Sequence, residues 1–275
     1  MRENSLLSES IKTEALGVTE SPFEQLAGRV ERVLCICARP GHEVLFAGAS
    51  LHRLAARGSR VTVIALSTRS PTLPPPLRTR TLAVSSDGLR RAAEILSIAR
   101  VEQLAMSSPP LAFGERIALQ ERLCQVIREE RPDLVISEGL GVPAAAVDRQ
   151  AGVALSDAAI AAAAAPAFGT RPSAATPPHE ITQRWLFAPP TDVAIYRHRS
   201  EEADRTNHKT WITVEAGSDL GAKWSALRAY LPELPDAPTP ALERILRTER
   251  FLAIRYVSPT VLVKSRRTTH AEARN

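Results

Sequence analysis

The chain has 275 residues, of which 44% are hydrophobic and 24% charged, a balance typical of a globular protein. Its formal net charge is +5, but the 35 basic residues are dispersed among 30 acidic ones, and aromatic residues make up only 4% of the chain. Because nucleic-acid binding usually combines a clustered basic surface with stacking aromatic residues, this composition argues against a nucleic-acid partner.

The first third of the chain carries the pattern of a β–α–β unit. An apolar run over 33–38 predicts a buried strand, and apolar residues at helical spacing over 43–57 predict a helix that ends at Gly58. A second apolar run over 61–66 predicts the next strand. This order implies a right-handed crossover and therefore a parallel sheet.

Helices and strands continue to alternate beyond a proline-rich loop at 69–86. A second proline-rich connection lies at 169–182. We predict helices over 87–97, 115–131, 149–165, 219–230 and 239–255, and strands over 133–137 and near 184–188, 192–196 and 210–214. The fold class is therefore α/β with a mostly parallel sheet, in one domain over 29–256, between an N-terminal extension (1–28) and a C-terminal tail (257–275).

Two loops follow strands that we expect to end at the same edge of this sheet. One covers 39–43, after the first strand, and the other covers 138–148, after the strand at 133–137. Ligands of open parallel sheets bind outside the carboxyl ends of the strands. The candidate site residues are therefore Arg39, His42, Glu43, Glu138 and Asp148. Glu43 also opens a helix, where a carboxylate complements the helix dipole, and we favour a structural role for it.

Several sequence segments occur in a characteristic order. They are VLCICARPGHEVL (33–45), Gly48, LAARG (54–58), VTVIALS (61–67), RRAAEILSI (90–98), RPDLVIS (131–137) and VDRQAGVALSDAAIAAA (147–163), with weaker matches in KWSALRAY (223–230) and TERFLAIR (248–255). This order resembles the GlcNAc-PI de-N-acetylase family, also called PIG-L or LmbE-like. The resemblance implies a three-layer, Rossmann-like fold. It also implies the activity of a typical member, a zinc-dependent amidase that removes acetyl groups from amino sugars and related metabolites.

The motifs that carry the chemistry of that family are degraded in this chain. The family's first motif, Pro-His-Pro-Asp-Asp-Glu, aligns with 38–43. Arg39 then stands at the first zinc-ligand histidine, Gly41 at the catalytic-base aspartate and His42 at the ligand aspartate. The family's second motif, His-Pro-Asp-His, aligns with 145–148, so Asp148 replaces the third ligand. The resemblance therefore implies a divergent member of the family.

Arg39 argues against a bound zinc ion. A guanidinium has no lone pair to offer a metal and stays protonated. At about 4 Å from a dication it is repelled by roughly 8 kcal/mol at an effective dielectric constant of about 20. We therefore favour no metal cofactor, and hypothesise that Arg39 pairs with Asp148 where the ion would lie. The alternative is a rebuilt zinc site with His42 and Asp148 as ligands, completed by Glu138 or by a residue of the 69–86 loop.

Two functions follow from these alternatives. The first is a pseudoenzyme or repurposed protein that binds a small metabolite or a partner protein. The second is a metal-dependent N-deacetylase of an amino-sugar-like substrate, working through His42 and Asp148. Metal-free chemistry with His42 as general acid or base is a third. In each case Arg39, Glu43 and Glu138 are predicted to line the pocket, and the predicted ligand is an amino-sugar-like molecule or an acylated amine. A second copy of the chain is a further candidate partner.

The sequence also carries signals about cellular location. No apolar run approaches the roughly 18 residues needed to span a membrane, and the polar N-terminus lacks the apolar core of a signal peptide. The three cysteines do not form a disulfide framework, and Cys35 and Cys37 lie on a predicted buried strand. We therefore predict a cytoplasmic protein without membrane association.

Overall fold

Seven strands form one mixed sheet in the computed structural model, which describes residues 22–28, 30–68, 86–139, 147–165, 176–187 and 208–255. The strands are β1 Arg32–Cys37, β2 Arg60–Ala65, β3 Arg100–Gln103, β4 Leu134–Glu138, β5 Gln183–Phe187, β6 His208–Glu215 and β7 Thr248–Arg255. The helices are α1 Pro22–Ala27, α2 His42–Ala56, α3 Ser86–Ile95, α4 Phe113–Glu130, α5 Val147–Ala164, α6 Leu220–Tyr230 and α7 Pro240–Leu246.

The strand order across the sheet is β3-β2-β1-β4-β5-β7-β6. The first five strands are parallel, whereas β7 runs antiparallel to both of its neighbours. Strand order reverses between β1 and β4, since the chain moves outward to β2 and β3 on one side and to β5 on the other. Such a reversal opens a crevice at the carboxyl ends of the two central strands. The predicted α/β fold with a mostly parallel sheet is confirmed.

Helices cover both faces of the sheet, which gives the three predicted layers. On one face, Leu51 and Leu54 of α2 pack against the alternate side chains of β1 and β2. On the other face, Leu123 and Ile127 of α4 and Ala159 of α5 pack against the opposite set. All of these side chains are almost completely buried. Since neither face is exposed, the central strands are mostly apolar rather than alternating in polarity.

The end of the described chain differs from its prediction. A single helix was expected over 239–255, but α7 ends at Leu246 and residues 248–255 form β7. The helix prediction was wrong because β7 lies between β5 and β6 and forms a ladder with each of them, and this pairing outweighs a local apolar pattern that is compatible with either structure. The short edge strand β3 was not predicted. The strand predicted at 192–196 lies outside the described residues.

The helix α1 lies N-terminal to β1 in the chain and contacts the sheet. The ring of Phe23 is buried edge-on against Trp185 of β5, with 5.5 Å between ring centroids. Glu24 forms an ion pair with Arg57 at 2.6 Å. In the described segments, no helix is both long enough and apolar enough to cross a bilayer.

A buried ion pair joins α2, α6 and β7. Nζ of Lys223 lies 2.7 Å from Oε1 of Glu249, and both side chains have no exposed surface. The Glu249 carboxylate also accepts hydrogen bonds from the backbone N–H groups of Ala49 and Ser50, at 2.8 and 2.9 Å, and from the Ser50 hydroxyl at 2.6 Å. A Cβ on Gly48 would lie 3.2 Å from Cγ of Lys223, so glycine leaves room for the lysine stem.

An ion cluster at β3 predicts a loss of stability in acid. Both carboxylate oxygens of Glu102 accept hydrogen bonds from Arg122, at 2.6 and 2.7 Å, and Arg100 adds a third bond at 2.8 Å. These bonds, that of Arg122 first, lower the pKa of Glu102. A carboxyl group with a lowered pKa in the folded state stabilises the protein above its ordinary pKa of about 4.3. That contribution disappears as the pH falls through the lowered value.

We therefore expect Glu102→Gln to flatten the fall of the unfolding free energy below about pH 4.3, as measured by urea denaturation at several pH values. Glu94→Gln is the matched control, because Glu94 belongs to an exposed pair with Arg90 and such pairs contribute little. Equal acid dependence in wild type and Glu102→Gln would contradict the assignment.

Candidate functional site

The candidate site lies at the crevice between the ends of β1 and β4. After β1 the chain turns through residues 38–41 and enters α2 at His42. Gly41 precedes the helix with φ of 90° and ψ of −17°, a left-handed conformation that glycine adopts without the strain of a side chain. The pairing of Ile36 with Ser137 places the next residue of β4, Glu138, beside this turn.

His42 and Glu138 form a buried polar pair at the centre of the site. Nδ1 of His42 lies 2.7 Å from Oε1 of Glu138, and the two residues are 0% and 2% exposed. The same oxygen accepts a 3.2 Å hydrogen bond from the backbone N–H of Ala38. Glu138 therefore links the end of β4 both to the turn and to the first residue of α2.

Aromatic packing holds the other side of the His42 ring. Phe46, one turn further along α2, meets the imidazole edge-on with 5.5 Å between ring centroids. Phe46 in turn stacks on Phe187 at the end of β5, at 5.4 Å and 21° between ring planes. The histidine ring is thus held between a carboxylate and an aromatic pair, which restricts its rotation.

The Glu43 carboxylate points away from His42 into a second buried cluster. One oxygen accepts a 2.6 Å hydrogen bond from the hydroxyl of Tyr230, and the other accepts 2.8 Å and 3.4 Å bonds from Gly41 N–H and Cys37 Sγ. Burial raises the pKa of Glu43, although these donors oppose the shift. Burial, followed by the charge of Glu43, raises the pKa of the Tyr230 phenol and of the Cys37 thiol. A thiol with a raised pKa is a poor nucleophile.

The structure brings most of the predicted site residues to one edge of the sheet. Arg39 is half-buried in the turn, and its carbonyl accepts a 3.2 Å hydrogen bond from the backbone N–H of His42. Asp148 belongs to the first turn of α5, but its side chain lies outside the described residues, as do residues 69–85 of the predicted loop and residues 140–146. The predicted Arg39–Asp148 pair and a role for that loop therefore stay predictions. Cys35 and Cys37 are buried and free, as predicted.

Tyr230 is the site-associated residue that sequence reasoning missed. It is 187 positions from Glu43, and a tyrosine at the end of an amphipathic helix is normally interpreted as packing. The only signal was its place at the end of the KWSALRAY segment, one of the weaker matches to the family order.

The residues of the turn do not fit the zinc-ligand set that the resemblance implies. Arg39 has no lone pair to donate, and Gly41 has no side chain to act as base. His42 has a lone-pair donor, and its bond to Glu138 is of the kind that orients zinc-bound histidines. In the described part of the chain, no three His, Cys, Asp or Glu side chains are grouped to hold a metal ion.

Comparison with known proteins tests the family resemblance. The family model described as PIG-L, GlcNAc-PI de-N-acetylase, matches residues 34–141. The resemblance to the PIG-L family is confirmed. The matched segment contains most of β1, the altered first motif and β4, whereas the second motif at 145–148 falls beyond it. A comparison with curated proteins gives no match.

Three solved structures share the fold of this chain. N,N'-diacetylchitobiose deacetylase from Pyrococcus horikoshii, complexed with the inhibitor MPG, has a TM-score of 0.62 at 16% identity, over 84% of this chain and 86% of that one. The conserved protein TT1542 from Thermus thermophilus has a TM-score of 0.53 at 19% identity, over 84% and 94%. GalB, a 4-carboxy-2-hydroxymuconate hydratase from Pseudomonas putida KT2440, has a TM-score of 0.50 at 19% identity, over 81% and 95%. Since a deacetylase and a hydratase both appear, the reaction must be argued from the site residues.

Proposed function

We propose that this PIG-L-type protein binds a small amino-sugar-like or acylated-amine ligand at the β1–β4 crevice and does not hydrolyse it through a zinc ion. The observation that carries the proposal is the residue set of the turn. A permanent cation, Arg39, and a residue without a side chain, Gly41, flank a histidine that is hydrogen-bonded to a buried carboxylate.

The loss of hydrolysis follows from two independent changes. A dication in the crevice would meet the charge of Arg39, with a repulsion of roughly 8 kcal/mol at about 4 Å. Even with a metal bound, the position of the aspartate base is Gly41, and general-base catalysis typically supplies about 10²–10⁴-fold in rate. Restoring a metal ligand at position 39 without a base at position 41, or the base without the ligand, would leave the deacetylase mechanism incomplete.

The retained architecture supports ligand binding. The turn is fixed by hydrogen bonds to Glu138 and Glu43, so the backbone of the crevice is ordered although the ligand positions have changed. A fold neighbour is named for a diacetylated amino sugar and carries an inhibitor in its structure. That likeness supports an amino-sugar-like ligand, and the half-buried guanidinium of Arg39 suits a ligand with a hydrogen-bond acceptor.

The His42–Glu138 bond favours a second candidate function. A carboxylate that orients a histidine is the usual outer partner of a zinc ligand, so His42 and Asp148 would be the ligands of a rebuilt metal-dependent N-deacetylase. The same bond is also that of a histidine acid–base pair, which would permit metal-free chemistry with His42 as the acting group.

One experiment separates these functions. N-acetylglucosamine and N,N'-diacetylchitobiose are titrated into the protein calorimetrically, and acetate release from both is assayed with and without added zinc. We expect binding without acetate release, and weaker binding by Arg39→Ala. Zinc-dependent release that is lost in His42→Gln would establish the second candidate. Zinc-independent release lost in the same variant would establish the acid–base function. The proposal fails if neither sugar binds.

Three free, buried cysteines support a reducing compartment, and we propose the cytoplasm. We propose the division into an extension (1–28), a domain (29–256) and a tail (257–275), and a protein partner or second copy as a further occupant of the protein surface. Proteolysis, fractionation and sedimentation measurements test these three points.

A further inference from the structure

The hydroxyl of Tyr230, at the end of α6, bonds to Glu43 of the candidate site, which lies 187 positions earlier in the sequence. Tyr230 is the last residue of α6 and is 5% exposed. Its 2.6 Å bond to Oε1 of Glu43 is a contact between two buried polar groups, so it is shielded from water. Nothing in the proposed ligand binding uses this bond.

Glu43 bonds both to Tyr230 and to the turn at 38–41, so it connects the two. Its second oxygen accepts the N–H of Gly41 and the thiol of Cys37, which joins the end of β1, the turn and α6 through one carboxylate. Gly41 is the residue of the turn with a left-handed conformation, so its N–H direction decides how the chain enters α2.

His42 lies in the chain between Gly41, whose N–H the Glu43 carboxylate accepts, and Glu43 itself. The peptide groups before and after His42 belong to Gly41 and Glu43, so their positions set the direction of the Cα–Cβ bond of His42. The ring is then aimed at Glu138, 2.7 Å away. A shift of the turn by a few tenths of an ångström would lengthen this bond, because β4 holds Glu138 independently.

We propose that Tyr230 is a positioning residue of the site, which acts through Glu43 on the turn at 38–41 and so maintains the His42–Glu138 hydrogen bond. The inference rests on the proposed function only in the choice of pocket. Its test needs no ligand, so its failure is distinguishable from a failure of ligand binding.

The alternative to a positioning role is that Tyr230 contributes only the packing of its ring. The residue belongs to the apolar cluster of α2, α3, α6 and α7, and its ring would contribute there without its hydroxyl. Tyr230→Phe keeps the ring and removes the donor. Trp224→Phe is the matched control, because it removes one donor from the same helix and the same cluster, and that donor bonds to the carbonyl of Asp236 rather than to Glu43.

The readout is the Nδ1–H proton of His42 in histidine-selective NMR, assigned by its disappearance in His42→Gln. In the wild type we expect a slowly exchanging proton. In Tyr230→Phe we expect a shifted resonance that exchanges about tenfold faster with water, whereas Trp224→Phe should match the wild type. Glu43→Gln should change the resonance in the same direction, and serves as the test variant if Tyr230→Phe does not fold.

The outcomes are distinct. A change in Tyr230→Phe that is absent from Trp224→Phe supports the positioning role, and Glu43→Gln takes the place of Tyr230→Phe only if that variant does not fold. The same spectrum in Tyr230→Phe and in wild type, or equal changes in Tyr230→Phe and the control, overturns it. Sugar titration of the same samples reports separately on the proposed ligand binding.

Discussion

Glu249→Ala is expected to lower the free energy of unfolding by about 3–5 kcal/mol, because it leaves the ammonium group of Lys223 buried and unpaired. The carboxylate is also the acceptor for two α2 backbone N–H groups and the Ser50 hydroxyl. This single substitution therefore removes the contacts that join α2, α6 and β7. Urea denaturation followed by circular dichroism measures the loss.

Two further variants separate the charge from the hydrogen bonds. Ser50→Ala removes one donor from the same carboxylate and should cost only about 1 kcal/mol. Replacing both charges, in Lys223→Met with Glu249→Leu, should recover much of the stability lost in Glu249→Ala, because no charge is then buried without a partner. If Glu249→Ala costs no more than Ser50→Ala, the Lys223–Glu249 pair does not have the role described.

The second large effect concerns metal affinity. We expect the triple variant Arg39→His, His42→Asp, Asp148→His, which restores the family's ligand set, to bind zinc at least about a hundredfold more tightly than the wild type. The reason is twofold: the variant gains a lone-pair donor at position 39, and it loses a cation whose repulsion of the ion is roughly 8 kcal/mol at about 4 Å. Competition with a fluorescent zinc chelator measures the affinity.

The matched control for the triple variant retains Arg39. The double variant His42→Asp, Asp148→His exchanges the two remaining ligand types but keeps the guanidinium, so it should bind zinc far more weakly than the triple variant. Equal affinity in the double and triple variants would show that the guanidinium does not oppose the metal. Equal affinity in the wild type and the triple variant would show that a working ligand set is already present.

The central part of the fold was predictable because its signals are local. Buried parallel strands are short apolar runs, and the strand, turn and helix over 33–57 were predicted to within one residue of β1 and α2. The rule that ligands bind at the carboxyl ends of parallel strands then placed Arg39, His42 and Glu138 at one edge, where the structure has them.

The contacts that sequence reasoning missed are those made between distant segments. The ladder that turns residues 248–255 into a strand depends on β5 and β6, and no local pattern reports it. The partner of Glu43 was missed for the same reason, since Tyr230 is 187 positions away. His42 and Glu138 were both candidates, but their 2.7 Å bond depends on the β1–β4 register, which the sequence does not specify.

The zinc content of the unmodified protein shows whether the altered turn at 38–43 still holds a metal ion. The protein is purified without chelator, incubated with excess zinc, passed over a desalting column and analysed by elemental mass spectrometry. We expect the wild type to retain far less than one zinc per chain. One tightly held zinc per chain that is lost in His42→Ala would contradict it, since the altered turn would then still be a metal site.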